Sequence, residues 1–209
     1  MSELRPVGSE PRATDEIRCP QADRAVFGFW VFLMSDAVIF ALLFATYGTM
    51  LGATAGGPTS EGEFRIGSAL IETIVLLSSS FTFGMASLCM KYRKADDRIA
   101  PVLAWLAVTL VLGVSFLGME VHDFAGLFHD GAYPSRSGFW SAFFALVPLH
   151  GLHVLGGSIW LLVMVAQLLA LGCDERVRVD ILRLGLFWHF LDVVWIAILS
   201  VVYLQGLVR

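Results

Sequence analysis

Long apolar runs separated by short polar segments dominate the chain. They cover Val26–Leu51, Ile66–Met90, Ile99–Met119, Phe139–Leu171 and Leu184–Val208. A spanning helix needs roughly 20 apolar residues, and each run supplies about that length. The pattern predicts an all-α, polytopic membrane protein with five transmembrane helices. The fourth run is long enough to tilt or protrude. Loops such as "GATAGGPTSEGEF" and "HDFAGLFHDGAYPSRSG" are polar and contain glycine. No linker divides the chain and no short-period repeat is visible. The expected organisation is therefore a polar cytoplasmic tail over residues 1–24 and one five-helix domain over 25–209.

Composition leads to the same solvent. Of 209 residues, 57% are hydrophobic and 15% charged, with a mean hydropathy of +0.74. A soluble domain of this size has too little polar surface to cover so much apolar side chain. The net charge of −4 gives no basic footprint for nucleic acid. The first 24 residues mix five acids with four arginines and lack the apolar stretch of a signal peptide.

The basic residues set an expected orientation. Arg5, Arg12, Arg18 and Arg24 lie in the tail; Lys91, Arg93, Lys94 and Arg98 lie in the second connecting loop; Arg176, Arg178 and Arg183 lie in the fourth. Only Arg65, Arg136 and Arg209 fall on the other side, so eleven of the 14 share one face. By the positive-inside rule the N-terminus is cytoplasmic, and five crossings put the C-terminus on the periplasmic, external side. Cys19, Cys89 and Cys173 fall on or near the reducing side, which argues against disulfides.

Charge in a spanning helix is costly, so each ionisable residue there needs an account. Asp36 lies ~15 Å into the first span at 1.5 Å per residue, near the midplane. Glu72 shares a face with Ser68 and Ser79 on the second span. These groups suit either a polar seam against another helix or a proton relay using Asp36 and Glu72, as in a small proton-coupled transporter. The seam is preferred, because no second carboxylate on the second span extends a relay. In "LFWHFLDVVW", His189 and Asp192 share a face and can pair, with Trp188 and Trp195 expected to shield the pair from lipid.

The fourth span carries His150 and His153, offset by about 60° around the helix. Gly156 and Gly157 follow one turn later and allow a neighbouring helix to approach. Imidazoles bridging a tight helix contact are one reading; ligation of a metal or haem is the other. Counted from the outer end of the span, His153 lies ~21 Å deep and matches His189 in depth; counted from the inner end the match fails. Sequence alone leaves a stand-alone cytochrome using His153 and His189 open. His122 and His129, with Glu120, Asp123 and Asp130, are expected in the outer loop as a solvated or docked cluster, or one binding a surface cation. No nucleotide-binding glycine loop, Ser-His-Asp spacing or Cys-x-x-Cys is present.

Several stretches together carry a family resemblance. "GFWVFLMSDAVIFALLFATY", "IETIVLLSSS", "FLGMEVHDF", "GFWSAFFALVPLHGLH", "HGLHVLGGSIW" and "WHFLDVVWIAILSVVYLQG" resemble, in order, subunit III of the haem–copper terminal oxidases. They cover nearly everything from Phe27 to Gly206. Within that family the chain is most similar to the cytochrome o-type ubiquinol oxidases; five-span subunits III of cytochrome c oxidases are the alternative. The resemblance implies a non-catalytic subunit of an inner-membrane respiratory complex. Haem and copper would reside in subunit I, with subunit II and a small subunit IV as further partners. A role in stabilising subunit I, in holding phospholipid in a cleft, and in oxygen or proton access is implied as well. Asp36, Glu72, His150, His153, His189, Asp192, Trp188 and Trp195 would then be packing or lipid-cleft residues. No catalytic, cofactor-binding or metal-binding residue is implied in this chain.

The charge asymmetry makes topology testable. Reporter fusions after Arg98 and Arg178 should be active in the cytoplasm, and fusions after Glu63 and Arg136 outside it. An even number of crossings would contradict the orientation.

Overall fold

A computed structural model describes residues 20–53, 66–92, 99–129, 131, 133–172 and 174–203. The charged tail before Pro20, Cys19, Cys173, Arg65, Arg209 and the basic cluster Arg93, Lys94 and Arg98 lie outside these residues.

Five helices follow one another: α1 (Pro20–Met50), α2 (Ile66–Tyr92), α3 (Ala100–His129), α4 (Gly138–Leu171) and α5 (Glu175–Ile198). Each contains a segment long and apolar enough to cross a membrane. Helices α2, α3, α4 and α5 form a closed ring, each packed on the next, with α5 returning against α2. Helix α1 packs outside the ring, on α4 and α5.

The ring has a coiled-coil register. Buried positions step by alternating threes and fours, as in Ala69, Glu72, Leu76, Ser79, Phe83, Ala86 and Met90 on α2. On α5 the same rhythm gives Val177, Ile181, Leu184, Trp188, Leu191, Trp195, Ile198 and Val202. This stripe and a few residues beside it, such as Thr73, Phe187 and Val194, face the bundle. Residues such as Phe27, Leu42, Ile74, Val111 and Val193 stand more than half exposed on the outer surface. Apolar side chains are stable there because the surrounding solvent is hydrocarbon.

Three helices extend well beyond the expected runs, α1 beginning at Pro20 rather than Val26. Helix α3 continues from Met119 through "EVHDFAGLFH" to His129, a stretch expected as loop. Its buried rhythm persists through Phe116, Glu120 and Leu127. No proline interrupts it, and the chain turns only at Gly131, which adopts a left-handed φ of 82°. Helix α5 begins at Glu175 rather than Leu184, so Arg176, Arg178 and Arg183 belong to it. Arg183 pairs with Asp180 at 2.8 Å, one turn away. The far end of α5 widens into a π-helical turn over Leu199–Tyr203, which buries Val202 and Tyr203. Helix α4 starts at an N-cap, Ser137, whose hydroxyl accepts from the Trp140 amide at 3.3 Å.

Candidate functional site

Several polar side chains of the spans gather on the axis of the ring, and two indoles of α5 organise them. Trp188 and Trp195, both 1% exposed, are seven residues apart and point inward. They do not shield His189 and Asp192 from lipid, as the sequence suggested; they fill the middle of the bundle. The Trp188 indole stacks on Phe83 of α2 at 6.4 Å between centroids. A Cβ at Gly113 of α3 would lie 2.9 Å from its ring, and one at Gly157 of α4 3.3 Å. Glycine at both positions therefore makes room for the ring. Trp195 meets Phe116 of α3 edge to face at 4.7 Å and tilts against His150 of α4 at 5.2 Å. Each tryptophan thus touches all three other helices of the ring.

Both indole N–H groups are satisfied by α2. Trp188 Nε1 donates to Ser79 Oγ and Trp195 Nε1 donates to Thr73 Oγ1, each at 3.0 Å. The hydroxyls are well matched to this task. A hydroxyl has one donor and two acceptor sites. Ser79 donates its proton to Leu76 O at 2.6 Å and Thr73 to Ala69 O at 2.7 Å. Their lone pairs remain for an indole, which is donor only. The lipid-facing hydroxyls of Ser35, Thr46, Ser115 and Ser200 likewise donate to carbonyls four residues back.

Helices α2 and α5 share a further polar contact. Ser80 Oγ and His189 Nδ1 lie 2.6 Å apart, one residue along from the Ser79–Trp188 bond. Asp192 Oδ2 is 3.7 Å from the same nitrogen, at ion-pair range but beyond a hydrogen bond. His189 therefore bonds Ser80, while Asp192, 5% exposed, lies beside it. The His189 side chain is half exposed on the outer surface.

The two histidines of α4 face different neighbours. His150 is fully buried, and its Nε2–H donates to Leu191 O of α5 at 3.2 Å. His153 turns toward α1: Nε2 lies 3.8 Å from Asp36 Oδ2, and Phe40 packs against the ring at 5.3 Å. Its Nδ1–H donates to Leu149 O one turn back, at 2.7 Å. His153 therefore faces α1 while His189 bonds α2, and the facing axial pair of a bis-histidine haem is not formed. Gly157 closes on Phe187 and Trp188, whereas Gly156 faces open space. Among the described residues, no three His, Cys, Asp or Glu side chains converge in a metal-holding group.

Glu120 is the residue the sequence reading misplaced. It lies inside α3, is 5% exposed, and points at α4. A Cβ on Gly151 would meet its carboxyl oxygens at 2.5 and 2.7 Å. Gly151, between the two histidines, is thus the recess that admits the carboxyl. Glu72, 1% exposed, lies within electrostatic range of both Glu120 and Asp123, and Tyr203 of the π turn within range of all three. Glu72 and Glu120 each keep one buried oxygen without a hydrogen-bond partner among the described residues. The expected outer-loop cluster is thereby divided: Glu120 turns inward, and His122 and His129 remain on the exposed side of α3. The signal for Glu120 was its register, seven residues after Gly113 and seven before Leu127.

Comparison with known proteins gives a consistent picture. Residues 18–207 match the family described as cytochrome c oxidase subunit III. Cytochrome bo(3) ubiquinol oxidase subunit 3 of Pseudomonas aeruginosa is 47% identical over 181 residues, covering 87% of this chain and 85% of the relative. Its counterpart in Pseudomonas putida is 48% identical over 181 residues, covering 87% and 86%. Quinol oxidase subunit 3 of Bacillus subtilis is 41% identical over 182 residues, covering 87% of each chain.

The Gly151 recess gives a direct test. Gly151→Ala should destabilise the chain in detergent by about 1–3 kcal/mol through overpacking against Glu120. Combined with Glu120→Ala, the added methyl has room, so the double variant should lose less than the sum of the two singles. Thermal unfolding of the purified variants checks this, and strict additivity would show that the two side chains do not meet.

Proposed function

The chain belongs to the cytochrome c oxidase subunit III family, and from that membership we propose that it is the non-catalytic subunit III of a ubiquinol oxidase. The observation that carries this reading is its 47% identity, along 87% of its length, to a cytochrome bo(3) ubiquinol oxidase subunit 3. It is a multi-pass protein of the bacterial inner membrane. We place residues 1–24 as a tail in the cytoplasm and the C-terminus in the periplasm, on the strength of the basic asymmetry. The five-helix domain over 25–209 packs beside subunit I, in a complex that also holds subunit II and a small subunit IV. Haem and copper reside in subunit I.

The internal geometry supports an accessory role. Quinol oxidation and oxygen reduction require a redox centre with converging ligands. In this chain the polar side chains are spent between helices instead. Trp188, Trp195 and His150 lock the ring together; Asp36 and His153 tie α1 to it; Glu72 lies in the acidic group at the end of the π turn. His189 and Asp192 stand at the outer margin of the α2–α5 contact, where a partner subunit or a phospholipid would cover them. A rigid bundle of this kind stabilises subunit I during turnover.

Deleting the subunit should leave the haem spectrum of the remaining complex intact and initial quinol oxidation measurable, while assembly or durability under turnover falls. His150→Ala and His153→Ala should change retention of the subunit but not haem content. Loss of one haem equivalent in either variant would make the histidine a ligand and overturn the accessory reading.

A further inference from the structure

A groove of about 290 Å³ opens between the last turn of α2 and the first turns of α5. Ser87, Leu88, Met90 and Lys91 line it from α2, and Arg178 and Leu182 from α5. Two cations and a hydroxyl thus border one small space, and among the described residues no carboxylate lines it. Neither Lys91 nor Arg178 has a carboxylate partner among the described residues. The nearby acid Asp180 is held by Arg183 at 2.8 Å. Leu88 and Leu182, each 48% exposed, form the walls, and Met90, 4% exposed, forms part of the floor.

This combination is that of a membrane surface: cations at helix ends, apolar walls leading into hydrocarbon. We propose that the groove binds the phosphate headgroup of an anionic phospholipid, with its glycerol and first methylenes against Leu88 and Leu182. Charge complementarity selects the ligand. Two cations with no carboxylate partner among the described residues attract anionic headgroups at a bilayer surface, and basic pockets between spanning helices on the cytoplasmic side are suited to hold them. Arg178 presents a planar donor fork to phosphate oxygens, Lys91 a compact charge, and Ser87 a hydroxyl donor. A soluble anion would use the cations but gain nothing from the two leucines. The site lies apart from the axial cluster and from the Asp36–His153 contact with α1. It goes beyond the subunit assignment and does not depend on it.

The test uses the detergent-purified complex, stripped of native lipid and exposed to equal amounts of phosphatidylglycerol and phosphatidylcholine with identical acyl chains. Native mass spectrometry counts lipid retained on this subunit. Copurification of the oxidase subunits is scored first, so failure of the subunit assignment is seen separately; the lipid step is then run on the chain alone in its extraction micelle. The wild type should retain phosphatidylglycerol over phosphatidylcholine. The Lys91→Gln/Arg178→Gln double variant should lose that preference by about tenfold or more, the effect expected of two basic side chains at an anionic surface. Arg176→Gln removes an exposed charge two residues before Arg178, outside the groove, and should keep the preference. Millimolar inorganic phosphate should not displace the lipid. Equal retention of the two lipids, an unchanged preference in the double variant, an equal loss in Arg176→Gln, or displacement by phosphate would each overturn the site.

Discussion

Hydrocarbon offers no hydrogen-bond partner, so a polar side chain in a spanning helix is costly unless the protein satisfies it. For the two axial tryptophans the constraint is met by the bonds between the indoles of α5 and the hydroxyls of α2. Thr73 and Ser79 give their protons to their own helix and their lone pairs to Trp195 and Trp188. The arrangement leaves no donor over and fixes the register of two antiparallel helices at two depths. Because the hydrophobic effect does not drive helices together in lipid, such bonds and close packing decide which faces meet.

The rest of the ring follows from where the indoles lie. Tryptophan on the axis leaves no space for side chains opposite it, and Gly113 and Gly157 supply the gaps. Each helix of the ring contributes a special pair seven residues apart: Glu72 and Ser79, Gly113 and Glu120, His150 and Gly157, Trp188 and Trp195. These are successive equivalents of one heptad position, so small, polar and aromatic residues interleave at matched levels. The histidines that resemble ligands in sequence serve this geometry: one bonds α5 through a backbone carbonyl, the other faces the carboxylate on α1. Side chains committed in this way favour one packing of the bundle.

Much of the architecture was legible in the amino-acid sequence. The number of spans and most of their centres follow from apolar length alone, and the family from the ordered motifs. The ends were harder. Helix α3 runs ten residues past Met119, because a fall in hydropathy marks the edge of an apolar run, not the end of a helix. That is why Glu120 was assigned to a loop. The direction of Trp188 and Trp195 was also hidden, since hydropathy is uniform around a helix that sits in lipid. What separates inside from outside is the heptad spacing of the residues least suited to lipid. Glu72 and Ser79 were recognised as sharing a face, but their partners on other helices required the fold.

Polar side chains here join helices rather than hold a redox centre. A double-mutant cycle on Ser79 and Trp188 tests it most directly, using Ser79→Ala, Trp188→Phe and the double variant, with unfolding followed in detergent. The bond predicts a coupling of about 0.5–1.5 kcal/mol, with the double variant losing less than the sum of the singles. Additive losses with no coupling would contradict it.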